Sequence, residues 1–226
     1  MNKRFLTVKP NLNPKRKYTM STIKLYRHAL SGHSHRVQLL LSILGLEADI
    51  IDVDLAQGAH KNADFLLKNR FGQVPVLEDS ETTLSDSNAI LIYLASKYDA
   101  SRRWLPEDAA AAAEVQRFLS FAAGKVAYGP AAARLVNVFG AGLDHEAAVG
   151  DSHVFLTNID AHLENRDWLA SDTPTIADVA NYAYIAHAPE GDVSLENYAN
   201  IRAWLQRIEQ LPGFVPMQAT AVGLAA

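Results

Sequence analysis

Three short stretches of the chain carry side chains suited to chemistry, and each stands where a strand gives way to a turn or a helix. The first is Tyr26-Arg27-His28-Ala29-Leu30-Ser31-Gly32-His33-Ser34-His35-Arg36-Val37, dense in hydroxyl and imidazole groups. A helix that starts here offers free backbone N–H groups and the positive end of its dipole, both of which stabilise a thiolate. A hydroxyl donor aimed at the sulfur adds to this. Moving a thiol from about 8.5 to about 6.5 takes roughly 2.7 kcal/mol of differential stabilisation. One hydrogen bond to the charged sulfur, with a helix end behind it, is of that size. The candidate donors are Ser31, Ser34, His28 and His33. Ser34 is expected to cap the helix with its hydroxyl, so position favours Ser31.

The second stretch is Arg70-Phe71-Gly72-Gln73-Val74-Pro75-Val76-Leu77. A proline at the opening of a buried strand has no N–H for the ladder and must sit at an end or an edge. A cis bond at Val74-Pro75 would turn the Val74 backbone outward, leaving its N–H and C=O to pair with an extended peptide. An ordinary edge-strand proline would give the same residues. The third stretch is Leu84-Ser85-Asp86-Ser87-Asn88-Ala89-Ile90. Small polar residues opening a helix suit a carboxylate, and the Ser87 hydroxyl can join the backbone donors. Asp86 could hold an ammonium group, so that the pair would clamp an amino-acid head. Simple N-capping explains the residue types, but not their placement just after the Val-Pro strand.

The chain of 226 residues has no cysteine. Disulfides, thiolate metal sites and a protein cysteine nucleophile are excluded, and any thiol must arrive with a ligand. His28, His33 and His35 have no acidic neighbour and match no standard metal spacing, so no metal is expected. Gly32-His33-Ser34-His35-Arg36 is not a nucleophile elbow, since Arg36 replaces the second glycine. A net charge of −4 sets up no field that favours nucleic acid or an anionic membrane. No apolar run approaches the roughly 20 residues of a membrane helix. Residues 1–20 include Lys3, Arg4, Lys9, Lys15, Arg16 and Lys17 and no acid. They read as a disordered basic extension, with Met20 as an alternative start.

The elements that must position these groups follow from periodicity. Ile23–Tyr26 reads as a strand, and a helix from Ser34 buries Val37, Leu40, Leu41 and Leu44 at helical spacing. Asp49–Val53 alternates like a strand, Ala63–Lys68 is a short helix, and Val74–Leu77 and Thr82–Leu84 are strands. Asp86–Lys97 is a helix. The order β-α-β-α-β-β-α implies a parallel pair joined by a right-handed crossover, then an antiparallel hairpin. Beyond Asp99 the texture is helical, with patterns over Glu107–Val126, Asp144–Asn165, Thr175–His187 and Asn200–Gln210. Thr175 and Asp178 have capping-box spacing and read as structural. Trp168, Trp204 and Tyr182 read as core aromatics, as does Phe121.

Taken together, the stretch from Ile23 to Tyr98 resembles the N-terminal domain of soluble glutathione S-transferases. Phe71-Gly72-Gln73-Val74-Pro75-Val76-Leu77 is similar to that family's cis-proline signature, Asp86-Ser87 to its acid-serine pair, and Thr175-Ile176-Ala177-Asp178 to its capping box. The resemblance implies a thioredoxin-like domain over 21–99 and an all-helical domain over 106–226. It also implies a cytoplasmic homodimer with glutathione as co-substrate. Val74, at the cis Pro75, would pair with the cysteinyl backbone of glutathione. Asp86 and Ser87 would hold its γ-glutamyl end, and Lys61 with His60 its glycyl carboxylate. Ser31 stands where serine-type members place the thiol-activating hydroxyl, while His33 and Tyr128 would line the pocket for an apolar electrophile. The Ser31–Val37 segment resembles the zeta and related bacterial classes, with Gly32 and His33 where zeta members carry serine and cysteine. The implied activity is transfer of glutathione to a small electrophile. The alternatives are glutathione-dependent reduction of peroxides or disulfides, and a module that binds without catalysis.

Overall fold

The computed structural model describes residues 23–221, so the basic stretch expected over 1–20 lies outside the described residues. The first part of the chain runs β1 (Ile23–Arg27), α1 (Gly32–Ile43), β2 (Ala48–Asp52), α2 (Ala63–Lys68), β3 (Val76–Asp79), β4 (Thr82–Ser85) and α3 (Ser87–Tyr98). This is the order expected from periodicity. The sheet has strand order β2-β1-β3-β4. β1 pairs with β2 in parallel and with β3 antiparallel, and β3 and β4 form the hairpin.

Each sheet face is covered by what the sequence supplies. Leu25 and Leu77 meet Val37, Leu40 and Leu41 of α1 and Ile90, Leu91 and Leu94 of α3, all buried. Val53, Phe65 and Val76 make a small separate cluster under α2, with Tyr26 edge-on to Phe65. The result is a thioredoxin-like α/β/α layering.

Two boundaries differ from expectation, each for a local reason. α1 opens at Gly32 rather than Ser34, because Ser31 is the N-cap, with extended backbone and a side chain that accepts the N–H of Ser34. Ser34 is instead buried, its Oγ accepting the N–H of His28 at 3.3 Å. β3 begins at Val76 and not Val74, since Pro75 has no N–H to give the ladder.

The second part is helical: α4 (Ala109–Ala123), α5 (Lys125–Tyr128), α6 (Pro130–Phe139), α7 (His145–His162), α8 (Ile176–Ala186) and α9 (Ala199–Glu209). α5 and α6 were not foreseen from periodicity. The signals for α6 were Pro130 at its first turn and Gly140 beyond its end, with φ 66°. α8 is the central strut, buried at every residue from Ile176 to Ile185, as a helix apolar on all sides must be. Its capping box is formed as expected. Asp178 accepts the N–H groups of Thr175 and Leu169 and the indole N–H of Trp204, each at 2.9 Å. The apolar core runs without a break from α1 and α3 into α4 and α8, and that packing fixes the angle at which the two parts meet.

Candidate functional site

A cavity of about 710 Å³ opens where the two parts meet. The β1–α1 turn, the loop from Leu55 to Lys61, the turn from Asn69 to Pro75 and the β4–α3 junction form one side. α5 and α6, with Tyr184 of α8, form the other.

The β1–α1 turn places Ser31 on the cavity wall. Its Oγ accepts the Ser34 N–H at 3.3 Å, a bond that uses a lone pair and leaves the hydroxyl proton free to donate. Gly32 is required beside it. A Cβ at that position would stand 2.7 Å from the Tyr184 ring, which explains why the serine of the zeta pattern is not tolerated here. His33 also lines the cavity, its ring edge-on to Tyr184 at 5.1 Å and its Nδ1 3.5 Å from Ser87 Oγ. Burial, reinforced by the nearby Arg36 cation, pulls its imidazole down to about 3, so it is neutral at physiological pH. His28 is also drawn down by burial, and its Nδ1 accepts the N–H of Leu30 at 3.3 Å. Among the donors considered, Ser31 lines the cavity while Ser34 is turned into the core.

The Val74-Pro75 bond is cis. Among the described residues, neither the N–H nor the C=O of Val74 has a hydrogen-bond partner. Both are therefore available to an extended peptide lying along the turn. Asn69 holds that turn by donating to the Gln73 carbonyl at 2.8 Å. Lys61 donates from Nζ to the carbonyls of Phe71 and Gly72 at 3.3 and 3.2 Å, leaving its third N–H for a ligand. His60 stands next to it on the cavity wall, with a buried, unpartnered Nδ1.

At the β4–α3 junction Asp86 is the N-cap of α3, one Oδ accepting the N–H of Ala89 at 2.9 Å. It does so from φ 71°, a left-handed conformation that costs a non-glycine residue of order 1 kcal/mol or more. Such strain is retained where the surroundings dictate a geometry. The other carboxylate oxygen has no partner among the described residues. Ser87 follows, 3% exposed, with its Oγ accepting from Arg36 Nη1 at 3.1 Å. Arg36 itself is 1% exposed and donates also to Asn88 Oδ1. Burial lowers its guanidinium to about 10, which leaves it charged at physiological pH.

The opposite wall is apolar, made by Leu30, Ala127, Ala131, Leu135, Phe139 and Tyr184. Tyr128 does not contribute, contrary to expectation. It ends the short α5 with its side chain 75% exposed, and Ala127 takes the cavity-facing position. Phe121 packs edge-on to Phe118 and Phe155, as a core aromatic. Arg134 of α6 was not foreseen. It is buried, ion-paired to Glu190 at 2.6 Å, and donates to the Leu30 carbonyl at 2.9 Å. It thereby ties the wall of α6 to the residue before Ser31. Arg36, Asn69, Gln73 and Tyr184 were likewise missed as parts of the site. Pairing them needed knowledge of which elements meet. Among the described residues no group of three or more His, Asp or Glu side chains stands where it could hold a metal ion, and no helix is long and apolar enough to cross a membrane.

Comparison with known proteins bears directly on this arrangement. Residues 21–96 match the family described as Glutathione S-transferase, N-terminal domain, and residues 143–212 match Glutathione S-transferase, C-terminal domain. The chain is 34% identical to Glutathione S-transferase 3 of Zea mays, covering 86% of this chain and 92% of that one. A possible glutathione S-transferase from Rhodopseudomonas palustris superposes with a TM-score of 0.80 at 32% identity, covering 89% of this chain and all of that one. A glutathione transferase homologue from Drosophila mojavensis, solved with bound glutathione, does so with a TM-score of 0.79 at 28% identity, covering 85% and 90% of the two chains. With the sheet order, the cavity and these matches in agreement, the chain belongs to the glutathione S-transferase family.

Proposed function

We propose that this enzyme binds glutathione along the α/β side of the cavity and transfers it to a small, largely apolar electrophile held against α5 and α6. The observation that carries the reading is the unpaired backbone of Val74 between two helix N-termini, at Ser31 and at Asp86-Ser87. A γ-glutamyl tripeptide matches that spacing of groups. Its cysteinyl backbone would pair with Val74. Its γ-glutamyl carboxylate would meet Ser87 and the α3 N-terminus, and its ammonium the free oxygen of Asp86. Lys61, with His60, would take the glycyl carboxylate.

The chemistry then follows from Ser31. Its free hydroxyl proton and the N-terminus of α1 favour the thiolate over the thiol, and the thiol proton leaves to water. The sulfur pair forms a bond to the electrophilic carbon. The electrons of the broken bond leave with the displaced group, or move onto an adjacent acceptor in an addition. Holding both reactants in one cavity removes much of the entropic barrier. The same reading divides the chain into a glutathione-binding unit over 21–99 and a helical unit over 106–226, and places the enzyme in the cytoplasm.

Conjugation of glutathione to an activated aryl chloride, followed by absorbance, tests the activity. Binding of glutathione with no turnover across aryl halides, enones and epoxides would count against transfer and favour a carrier. A two-fold homodimer is part of the proposal. Light scattering at micromolar concentration is expected to give twice the chain mass, and a monomer mass would count against it.

A further inference from the structure

Arg36 is a buried cation with no anion beside it. Its side chain is 1% exposed, and Nη1 donates to two neutral oxygens, Ser87 Oγ and Asn88 Oδ1, each at 3.1 Å. Nε and Nη2 are buried and unpartnered. Among the described residues no carboxylate lies within ion-pair distance of the guanidinium. Its remaining neighbour is the Tyr184 ring, 5.9 Å from the guanidinium carbon. A charge taken out of water this completely costs several kcal/mol unless it is compensated. Arg134, equally buried, shows the usual solution, an ion pair with Glu190 at 2.6 Å. Nothing in the packing demands a cation at Arg36, since an apolar side chain of similar volume would fill the space.

We propose that Arg36 is a positioning residue whose counter-ion arrives with the substrate, as the α-carboxylate of the γ-glutamyl group. The inference rests on the binding mode given above. Arg36 reaches the cavity only through Ser87. By donating to the Ser87 oxygen it fixes the rotamer and leaves the Ser87 hydroxyl proton to point at the incoming carboxylate. It also sets a full positive charge behind the partial charge of the α3 N-terminus. His33 Nδ1, 3.5 Å from the same Oγ, is the competing acceptor for that proton when no ligand is bound. The site thus holds an anion hole of two layers: hydroxyl and backbone N–H groups in front, a guanidinium behind. The device selects for a ligand with a carboxylate at this end.

Calorimetric titration of three probes tests this: glutathione, its 4-aminobutyryl analogue, which lacks only the α-carboxylate, and its glutaryl analogue, which lacks only the ammonium. Wild type should bind glutathione more tightly than the 4-aminobutyryl analogue. Arg36→Gln keeps an N–H for Ser87 but not the charge, and Arg36→Met removes both. In either variant the preference should shrink by about tenfold or more, the scale of a charge pair a few ångströms apart in a partly shielded site. Arg36→Lys, which keeps the charge, should retain most of it. Binding of the 4-aminobutyryl analogue should change little in all three variants. If wild type does not distinguish glutathione from the 4-aminobutyryl analogue, the placement of the carboxylate at Ser87 is wrong. If wild type does distinguish them and the charge-free variants do so equally well, Arg36 is not the counter-ion. Thermal melting gives an independent reading should one variant fold poorly. Ligand-free Arg36→Met should melt no lower than wild type, while its stabilisation by glutathione should be smaller. A lower melting temperature with the full glutathione shift would make Arg36 a structural residue only.

Discussion

Ser31 and Ser34 are joined by a 3.3 Å hydrogen bond from the Ser34 backbone N–H to the Ser31 Oγ. One serine thus closes the N-terminus of α1 and faces the cavity. The two duties use different parts of the hydroxyl, a lone pair for the cap and the proton for a ligand. They should therefore separate in experiment. Ser31→Ala is expected to raise the pKa of bound glutathione by about one to two units, the equivalent of roughly 1.5–3 kcal/mol for a hydrogen bond to a charged group. It should also cost about 1 kcal/mol of stability through the lost cap. Titration of thiolate absorbance in the complex reads the first effect, and a thermal melt reads the second. A lower melting temperature with an unchanged titration would leave Ser31 as a cap and nothing more.

Ser87 lies at the other helix end, on the far side of the Val74 turn from Ser31. Its contact with the γ-glutamyl end would be the same in the ground state and the transition state. Ser87→Ala should therefore raise KM for glutathione about tenfold and leave kcat nearly unchanged, the pattern of lost uniform binding. A fall in kcat at unchanged KM would show that this end of the site reports to the reacting sulfur.

Much of this was legible in the sequence because the first part of the chain follows local rules. Periodicity of two and of 3.6 located every strand and helix from Ile23 to Tyr98, and Pro75 marked the exposed turn. Asp86-Ser87 could be read as a site because small polar residues at a helix start have few other uses. Ser34 misled, since a hydroxyl three residues later looks equally like a cap until φ and ψ are known. Only the extended backbone at Ser31 settles which serine takes the role. Tyr128 misled for a related reason. Its helix is four residues long, too short for spacing to say which way a ring turns. Arg36, Arg134 and Tyr184 became visible only through contacts between distant parts of the chain. The Arg134–Glu190 pair spans 56 positions, and no local pattern carries that information.

Arg134 and Glu190 form a buried pair whose loss should be lopsided. Arg134→Met would leave Glu190 buried with only Thr220 and His187 as hydrogen-bond partners. A loss of about 3 kcal/mol or more is expected, the usual cost of stranding one member of a buried pair. The double variant Arg134→Met/Glu190→Met should recover much of it. Urea denaturation of the two single variants and the double variant measures the coupling. Strictly additive losses would show that the pair does not act as a unit. Arg134→Met should in addition lower turnover, because it frees the Leu30 carbonyl that anchors the turn carrying Ser31.

The last expectation concerns acid. His33 and His35 are buried and held neutral, burial being the main cause in each, to about 3 for His33 and about 4 for His35. In the unfolded chain both imidazoles return to an ordinary value near 6.5. Below pH 6.5 the unfolded state therefore takes up protons that the folded state refuses. Stability should fall as pH drops from 6.5 toward about 4, where His35 begins to accept its proton in place. With two such groups the slope in the middle of that window is roughly 2.7 kcal/mol per pH unit. Glu190 acts next and with the same sign. Burial alone would raise it, but hydrogen bonds from Thr220, His187 and Arg134 outweigh that and hold it at about 2. Its contribution is present above its ordinary 4.5 and is lost as pH falls from there toward 2. Denaturation midpoints measured across pH 7 to 4 give the slope. His33→Gln keeps a polar side chain of similar reach and has no proton to gain, so it should halve the slope in the upper window. A variant with the wild-type slope would show that the His33 ring already takes up its proton in the folded protein, and the neutral imidazole beside Ser87 would then have to be abandoned.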